Sequence, residues 1–514
     1  MSYAHVRNPR VTLNLVTRDQ RPGLDDQRAL IVGQKLSGGT APAGLNVGVP
    51  RTSAEINALF GARSHAAFLA RRFRKINPWT NLDVIALADA GGATKATASI
   101  AVSGTSTAAG TITVTVADGN DHRYEVAIPS GTAAAAAAAL IEAKFDADAA
   151  APFVASVLTG TVTFTAENGG KIANDWPLIV EGTVPGLLFT LTGWASGATD
   201  PTLTSILDAV ANIRYQTIVW PSQYATTVLK TFVDARKNLD NDIKDGVAFI
   251  GSNRAFADVK SDALALNTSE IVLITNEPET GATWKGPHLP QAPDITSVSF
   301  AAARARRFED GVSISDLVVT NESRDQFGSP FKGSLPYFNT PILYCNRPLR
   351  GSGYTQTEQA ELEDAGVSIV GYNESYTGVI MGVVVTTWQF DGAGNPDDTW
   401  KYLEWRDTHS IIREYFVKGV RKEFAQHRMT AGVAVAGFAI IDEPSVRAYL
   451  MQLYDELAED AVTVKGLDGR RYFEDNLVVT LKPSLRRVEV AADVPMVSQF
   501  GEMIGSVKFN FLTQ

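Results

Sequence analysis

Few residues in this 514-residue chain stand at spacings that could do chemistry. The nearest to a catalytic motif is Gly104-Thr105-Ser106-Thr107-Ala108, a turn of the kind that presents a serine nucleophile. Such a serine needs an imidazole base and a carboxylate that orients the base. Only His5 and His65 precede Ser106, and the segment lies among Thr/Ala-rich strand signals, so it reads as a loop between strands. The six histidines, at 5, 65, 122, 288, 409 and 427, form no H-E-x-x-H pair, and the single Cys345 has no cysteine neighbour. Neither a zinc site nor an intrachain disulfide is expected. Asp240, Asp242 and Asp245 before Gly246 lack the spaced ligands and closing glutamate of a calcium loop, and Asp391, Asp397 and Asp398 lie in a Gly/Pro turn. These read as a helix terminus and a solvated turn. Trp388, Trp400 and Trp405 read as packing residues. Phosphate-loop, dinucleotide-loop and G-x-S-x-G signatures are absent from the sequence. The expectation is a protein with no catalytic residue, no cofactor and no metal.

Composition narrows the classes further. Hydrophobic residues make up 45% and charged residues 20%, which is ordinary for a globular chain. The net charge of −10 argues against a nucleic-acid partner. The first 16 residues, MSYAHVRNPRVTLNLV, hold no apolar core of signal-peptide length. The longest apolar runs, Val433 to Ile441 and Val379 to Val385, are too short to span a bilayer, so no direct membrane insertion is expected.

The elements that would position any functional residue follow an α/β pattern interrupted once. Residues 1–28 read as an arm in which Val11, Leu13 and Leu15 alternate with polar residues, without a hairpin turn to supply a partner strand. Residues 29–90 and 201–350 read as one doubly wound α/β domain, split in two. Ala29–Gly33 and Leu82–Ala88 are apolar runs suited to strands covered on both faces. Thr52-Ser-Ala-Glu55 has capping-box spacing ahead of a helix ending near Gly61, and a second helix covers Ser64–Ile76. The later half alternates helix Thr202–Asn212, strand Gln216–Trp220, helix Ala225–Leu239, strand Gly246–Ile250, helix Ala255–Leu266, strand Glu270–Thr275 and helix Ser297–Phe308. Residues 91–200, with 25 alanines and 16 threonines, read as a β-rich insertion domain containing one alanine-rich helix capped by Thr132. Joined at two nearby points, it is expected to be removable with little damage.

Residues 351–496 read as an α+β domain. Its elements are helix Thr357–Ala365, strands Val367–Val370 and Val379–Trp388, helix Asp407–Arg428, helix Val446–Ala461, and strands Leu477–Leu481 and Val488–Ala492. Helix Asp407–Arg428 carries an apolar stripe through Ile412, Phe416, Val420 and Phe424. Its other faces carry Arg413, Lys418, Arg421, Lys422 and Arg428 against Asp407, Glu414 and Glu423. A C-terminal arm, 497–514, alternates Val507, Phe509 and Phe511 with polar residues. Two unpaired strand-like arms suit addition to a neighbour's sheet edge, a heterologous contact that generates rings or open helices. This favours a polymer over an enzyme.

At these residues the chain resembles the contractile tail sheath proteins of Mu-like, myovirus-type bacteriophages. The likeness covers nearly the whole chain: the arm and first strand Ala29–Gly33; Val162–Ala166, Asn168-Gly169-Gly170 and Asn174 in the insertion; Thr355–Gly366 (TQTEQAELEDAG), Val367–Ile369 and Val385-Thr386-Thr387; and the tail from Leu485 to Leu512. The resemblance implies a subtilisin-like α/β sheath domain with swapped arms, an outward-facing insertion and a lumen-facing C-terminal domain. It implies a virion subunit, assembled in the host cytoplasm, that polymerises with itself as hexameric rings. These stack helically around the tail tube protein, bounded by baseplate and tail terminator proteins, and contract to drive the tube through the host envelope. The basic face of helix Asp407–Arg428 would then meet the tube. Two other readings stay open at this point: a serine hydrolase on a doubly wound sheet, and a tail-tube or adhesin-type module.

Overall fold

The computed structural model describes residues 26–203, 206–237, 243–275, 290–312, 337–338, 340–346, 354–372, 378–433, 439–459 and 462–497. In chain order the first elements are β1 (Arg28–Gln34), β2 (Asn46–Gly48), α1 (Ser53–Phe60), α2 (His65–Ile76) and β3 (Asn81–Leu87). The insertion follows as β4 (Lys95–Gly104), β5 (Gly110–Val116), β6 (Arg123–Ile128), α3 (Ala134–Asp146), β7 (Phe153–Leu158), β8 (Thr161–Gly169), β9 (Leu178–Glu181) and β10 (Leu187–Ala195). The chain returns through β11 (Thr217–Val219), α4 (Thr226–Asp234), β12 (Val247–Ser252), α5 (Phe256–Leu266), β13 (Ile271–Thr275) and α6 (Pro293–Val312). Then come α7 (Gln356–Asp364), β14 (Val367–Tyr372), β15 (Val379–Met381), α8 (Leu403–Phe424), β16 (Arg428–Met429) and β17 (Ile440–Ile441). Last are α9 (Glu443–Glu459), α10 (Leu467–Asn476), β18 (Val478–Lys482) and β19 (Arg487–Ala491).

Unbroken apolar runs build one mixed α/β layer. Its sheet has the order β15-β14-β13-β12-β11-β1-β3-β2, parallel from β14 to β3 and antiparallel at both edges. Side chains alternate across a strand, so each strand feeds two cores. Ala29, Ile31, Val84, Phe249 and Ile274 pack with α1, α2 and α6 on one face. Leu30, Val32, Ile85, Ile250 and Leu273 pack with α4, α5 and α7 on the other. Local signals agree with this layout. Thr52 accepts from the Glu55 amide at the start of α1, and Gly61 ends α1 at φ +88°, a conformation that favours glycine. Ser64 caps α2 through the Ala67 amide at 3.1 Å.

The insertion forms two small antiparallel sheets, β10-β4-β8-β7 and β6-β5-β9, closed by α3. Phe145, Phe153, Phe164, Trp176 and Trp194 meet mostly edge-on inside it, at centroid distances of 5.1 to 6.1 Å. Phe68 of α2 joins them, 6.2 Å from Trp176. The insertion's core is therefore continuous with the α2 face of the large sheet. A third core lies under α8, α9, α10 and the β18–β19 hairpin, with Tyr454 stacked on Phe473 at 4.6 Å.

Several expectations need correction. The helix expected over Thr202–Asn212 is a 3₁₀ turn, Ile206–Val210. The Arg236 guanidinium takes the carbonyls of Val210, Ala211 and Ile213, so the chain is tied off directly after this turn. Thr132 does not cap α3: its hydroxyl donates to the Pro129 carbonyl, and Ala133 stands at the cap without a side-chain bond. The strand expected to reach Trp388 ends at Met381, because the Ser368 hydroxyl replaces the main-chain ladder by both donating to and accepting from Val385. Helix α8 starts and stops four residues earlier than Asp407–Arg428, leaving Arg428 in β16. Strands β14 and β15, read as part of a separate C-terminal domain, extend the large sheet instead.

Candidate functional surfaces

Helix α8 is the element with the densest chemistry. Its apolar stripe meets the third core, with Ile412 buried and Phe416, Val420 and Phe424 packed against α9 and α10. Its N-terminal half presses on the lower ends of β11, β12 and β13 through buried charges. Asp407 is fully buried; it accepts from Arg304 Nε at 3.0 Å and Nη2 at 2.5 Å, and from the Tyr337 hydroxyl at 2.6 Å. Arg304 also donates to the Gln216 carbonyl and the Thr217 hydroxyl. Arg406 pairs with Glu270 and, at 3.3 Å, with Asp245. Arg214 pairs with Glu414 at 2.6 Å and Asp245 at 3.4 Å. Arg413 stands 3.8 Å from Asp245.

Four guanidiniums thus interleave with four carboxylates, Asp245, Glu270, Asp407 and Glu414. Burial would raise the Asp245 carboxyl, but Arg406 and Arg214 outweigh it and hold it below the usual range. Burial and then Arg406 push His409 down to about 4, so its ring is neutral at neutral pH. Glu404, buried beside this lattice with main-chain amides, among them that of Tyr337 at 3.2 Å, on its carboxyl, is pushed up to about 7 by burial, which outweighs them.

This lattice escaped the sequence reading, which gave α8's basic residues, Arg413 among them, to a face that meets the tube. A signal was present. Glu404, Asp407 and Glu414 recur on the stripe that also carries Leu403 and Ile411, three to four residues apart. Charges at core spacing imply buried partners.

The residues assigned to the basic face divide along the helix. Arg413 is half-buried at the lattice, and Lys418 holds Glu414 at 2.8 Å. Arg421 and Lys422 are exposed in the last turn of α8, and Arg428 is exposed beyond it, in β16. Val11, Leu13, Leu15, Val507, Phe509 and Phe511 lie outside the described residues. Ser106 is buried, its hydroxyl donating to the Pro129 carbonyl at 2.6 Å and accepting from the Thr132 amide at 2.7 Å, so it staples two connections of the insertion. Among the described residues no group of three or more His, Cys, Asp or Glu could hold a metal, and no helix is long and apolar enough to cross a membrane.

A second seam joins α2 to the insertion. Arg72, 1% exposed, pairs with fully buried Asp118 and with Asp121 at 3.1 Å. Burial would lower its pKa, but Asp118 reverses this and raises it. Arg71 donates to the Ala150 carbonyl, and Arg63 to those of Phe153 and Asp148.

No family model matches the sequence. The chain is 25% identical over 493 residues to the Mu-like prophage FluMu tail sheath protein of Haemophilus influenzae, covering 94% of this chain and 92% of that protein. Among solved structures it is similar to the sheath tail protein Lin1278 of Listeria innocua (11% identity, 93% of this chain and 94% of that one, TM-score 0.47). It is also similar to the contracted helical sheath of the anti-feeding prophage (11% identity, 95% and 94%, TM-score 0.45). The resemblance read from the residues is matched by this relative along almost the entire sequence: the chain is a homologue of a Mu-like prophage tail sheath protein.

Proposed function

We propose that this chain is the structural subunit of a contractile tail sheath and not an enzyme. Its copies assemble as hexameric rings stacked helically around a tail tube, between baseplate and tail terminator proteins. The lattice waits in an extended state and shortens on a baseplate signal, driving the tube through the host envelope for genome delivery. The observation that carries this reading is the 25% identity to a tail sheath protein across 94% of the chain. New subunit contacts in the shortened lattice supply the bias, since a transition follows the state with better contacts.

The finer anatomy accords with the structure in three places. A sheet with helices on both faces suits a doubly wound, subtilisin-like sheath domain split by an outward-facing insertion. The β18–β19 hairpin is a sheet of only two strands among the described residues, with Val478 and Val490 exposed. One face of the hairpin packs on the third core, while its strand edges pair with no further strand among the described residues; an open edge of this kind suits an acceptor for the arms around Val11, Leu13 and Leu15 or Val507, Phe509 and Phe511 of neighbouring copies. Arg421 and Lys422 lie at the end of the helix assigned to the lumen. The hydrolase reading has little left to use, because the Ser106 hydroxyl is engaged by main-chain groups.

Negative-stain microscopy of the purified protein tests the proposal. Wide hollow tubes formed by this chain alone are expected, and Phe509→Pro, which deletes a ladder donor in the arm, should prevent them while leaving a folded subunit. Protein that stays monomeric at high concentration, or tubes too narrow to enclose a second tube, would overturn the sheath reading.

A further inference from the structure

An open sheet edge is a place where another strand can add, and folded proteins blunt most of theirs. The insertion shows both treatments. At one end of its four-stranded sheet, β7 is engaged from the side: Glu142 of α3 accepts from the Val157 amide at 3.1 Å, and Arg63 donates to the Phe153 carbonyl at 3.2 Å. In the three-stranded sheet, outer strand β6 carries Arg123 and Glu125, and outer strand β9 is short and ends on Glu181. Strand β10, at the other end of the four-stranded sheet, has none of these protections. It pairs with β4 on one side and, among the described residues, with no strand on the other. Its stretch Leu187–Thr192 keeps unbroken register with β4 and holds no charge, proline or glycine. Such a run, about 20 Å long, is of the kind that pairs with a further strand.

The two faces of β10 say what an added strand must carry. Leu187, Phe189 and Leu191 pack against the insertion's core but stay half-buried, and no further strand shields their outer side. Leu188, Thr190 and Thr192 are exposed on the opposite face. An added strand therefore fits if it presents apolar residues at alternate positions on the core side and uncharged residues on the other. A second β10 meets that demand. Running antiparallel about a two-fold axis near Thr190, it sets Leu187, Phe189 and Leu191 beside the same three residues of its counterpart. The apolar face then continues across the junction, and no like charges oppose each other.

We propose that the open edge of β10 is a self-recognition surface, at which two copies of this chain join their four-stranded sheets into one continuous sheet by antiparallel β10–β10 pairing. An isologous pair closes at two copies and cannot itself propagate a helix. It is therefore a contact apart from that of the arms. Where the copies sit in tubes with the insertion outward, it ties one tube to the next, side by side. Only this last consequence rests on the sheath reading; the pairing of free subunits does not.

The test is sedimentation equilibrium of full-length subunits carrying Phe509→Pro, which suppresses pairing by the C-terminal arm. Two further variants alter only the exposed face: Leu188→Lys/Thr190→Lys and Leu188→Glu/Thr190→Glu. The expected result is a monomer–dimer equilibrium with the natural edge, and at least tenfold weaker association of either charged variant with itself. Mixing the two charged variants should restore it, because opposite charges then meet across the strands. Melting temperatures report whether each variant is folded; where a double change lowers them, Thr190→Lys and Thr190→Glu alone take its place. Subunits with the natural edge that stay monomeric up to about 1 mM overturn the proposal and leave the edge to a strand of a different protein. A dimer that both charged variants leave unchanged overturns it as well. Tubes of the chain without Phe509→Pro are scored separately by microscopy: absent tubes fail the sheath reading alone, and an absent dimer fails the pairing alone.

Discussion

Glu404 keeps its carboxyl where an ionised group is costly. Held at about 7 by burial, against 4.5 for an ordinary glutamate, it carries a proton in the folded chain that the unfolded chain has already released between those values. The folded state is then favoured below about pH 4.5, and that advantage is lost as the pH rises through 7. Glu404→Gln keeps an acceptor for the Tyr337 amide and does not titrate. Its stability relative to the parent should therefore climb between pH 4.5 and 8 by on the order of 3 kcal/mol. Thermal midpoints of both proteins across that range check it, and a constant difference would show that Glu404 is ionised throughout. His409 is common to both proteins and cancels. At Arg304 and Asp407 the argument is about pairing, not protonation. Removing one partner strands a buried charge, so Asp407→Leu alone should cost about 3–5 kcal/mol, whereas Arg304→Met with Asp407→Leu should recover much of it. Urea midpoints of the single and double variants decide. Equal losses in both would mean that the hydrogen bonds to Gln216 and Thr217 matter more than the ion pair.

Helix α8 bridges two cores, with Leu403 and Ile411 in the sheet's core and Ile412 and Tyr415 in the C-terminal one. That divides its basic residues by consequence. Reversing Lys418 would repel Glu414, which also holds Arg214, and would disturb the lattice. Arg421 and Lys422 are exposed beyond it. Arg421→Glu with Lys422→Glu should leave the subunit's melting temperature within a few degrees and its self-assembly intact, yet abolish co-assembly around isolated tubes at moderate salt. Exposed pairs are worth about 0–1 kcal/mol each, so the effect depends on repetition along the tube and should follow ionic strength. Unimpaired wrapping at low salt would place the tube contact elsewhere. The same helix shows what the sequence could disclose. Its apolar stripe was legible because periodicity at 3.6 residues needs no partner to be recognised. The cap at Thr52 was legible because capping is local, though the same signal misled at Thr132, whose hydroxyl turns back to Pro129. Asp407 was not, because its meaning depends on Arg304, about a hundred residues away. Nor was the place of β14 in the large sheet, since a parallel strand declares no neighbour in its own residues. The arms' partner, if another copy supplies it, is likewise absent from any single chain's local pattern.

At the scale of the whole molecule, the insertion is bound more tightly than two covalent junctions imply. Its removal from 91 to 200 would uncover Phe68, take Asp118 and Asp121 from Arg72, and leave that guanidinium, buried against α2, without its carboxylates. It would also remove the Gly169 and Asn168 groups that satisfy Gln34 and Asp89 at the upper end of the sheet. A stranded buried charge alone costs several kcal/mol, a large share of the 5–15 kcal/mol that holds a domain folded. Replacing 91–200 with a Gly/Ser linker should thus give an aggregating subunit without a cooperative thermal transition, contrary to the free excision that two nearby junctions suggested. The far side of the same insertion should behave oppositely. Leu158, at the tip of the β7–β8 hairpin, is 75% exposed, and Leu188 on edge strand β10 is 65% exposed. Leu158→Asp and Leu188→Asp should each change stability by less than about 0.5 kcal/mol, as surface changes away from special features do. If those tips point outward, neither variant should alter tube formation. Calorimetry of the deletion and microscopy of the two leucine variants separate the cases. A soluble deletion variant that melts cooperatively would make the α2 seam dispensable. Loss of tubes with Leu158→Asp or Leu188→Asp would put the insertion's tip inside the lattice, and its hairpins would then be subunit contacts rather than outer surface.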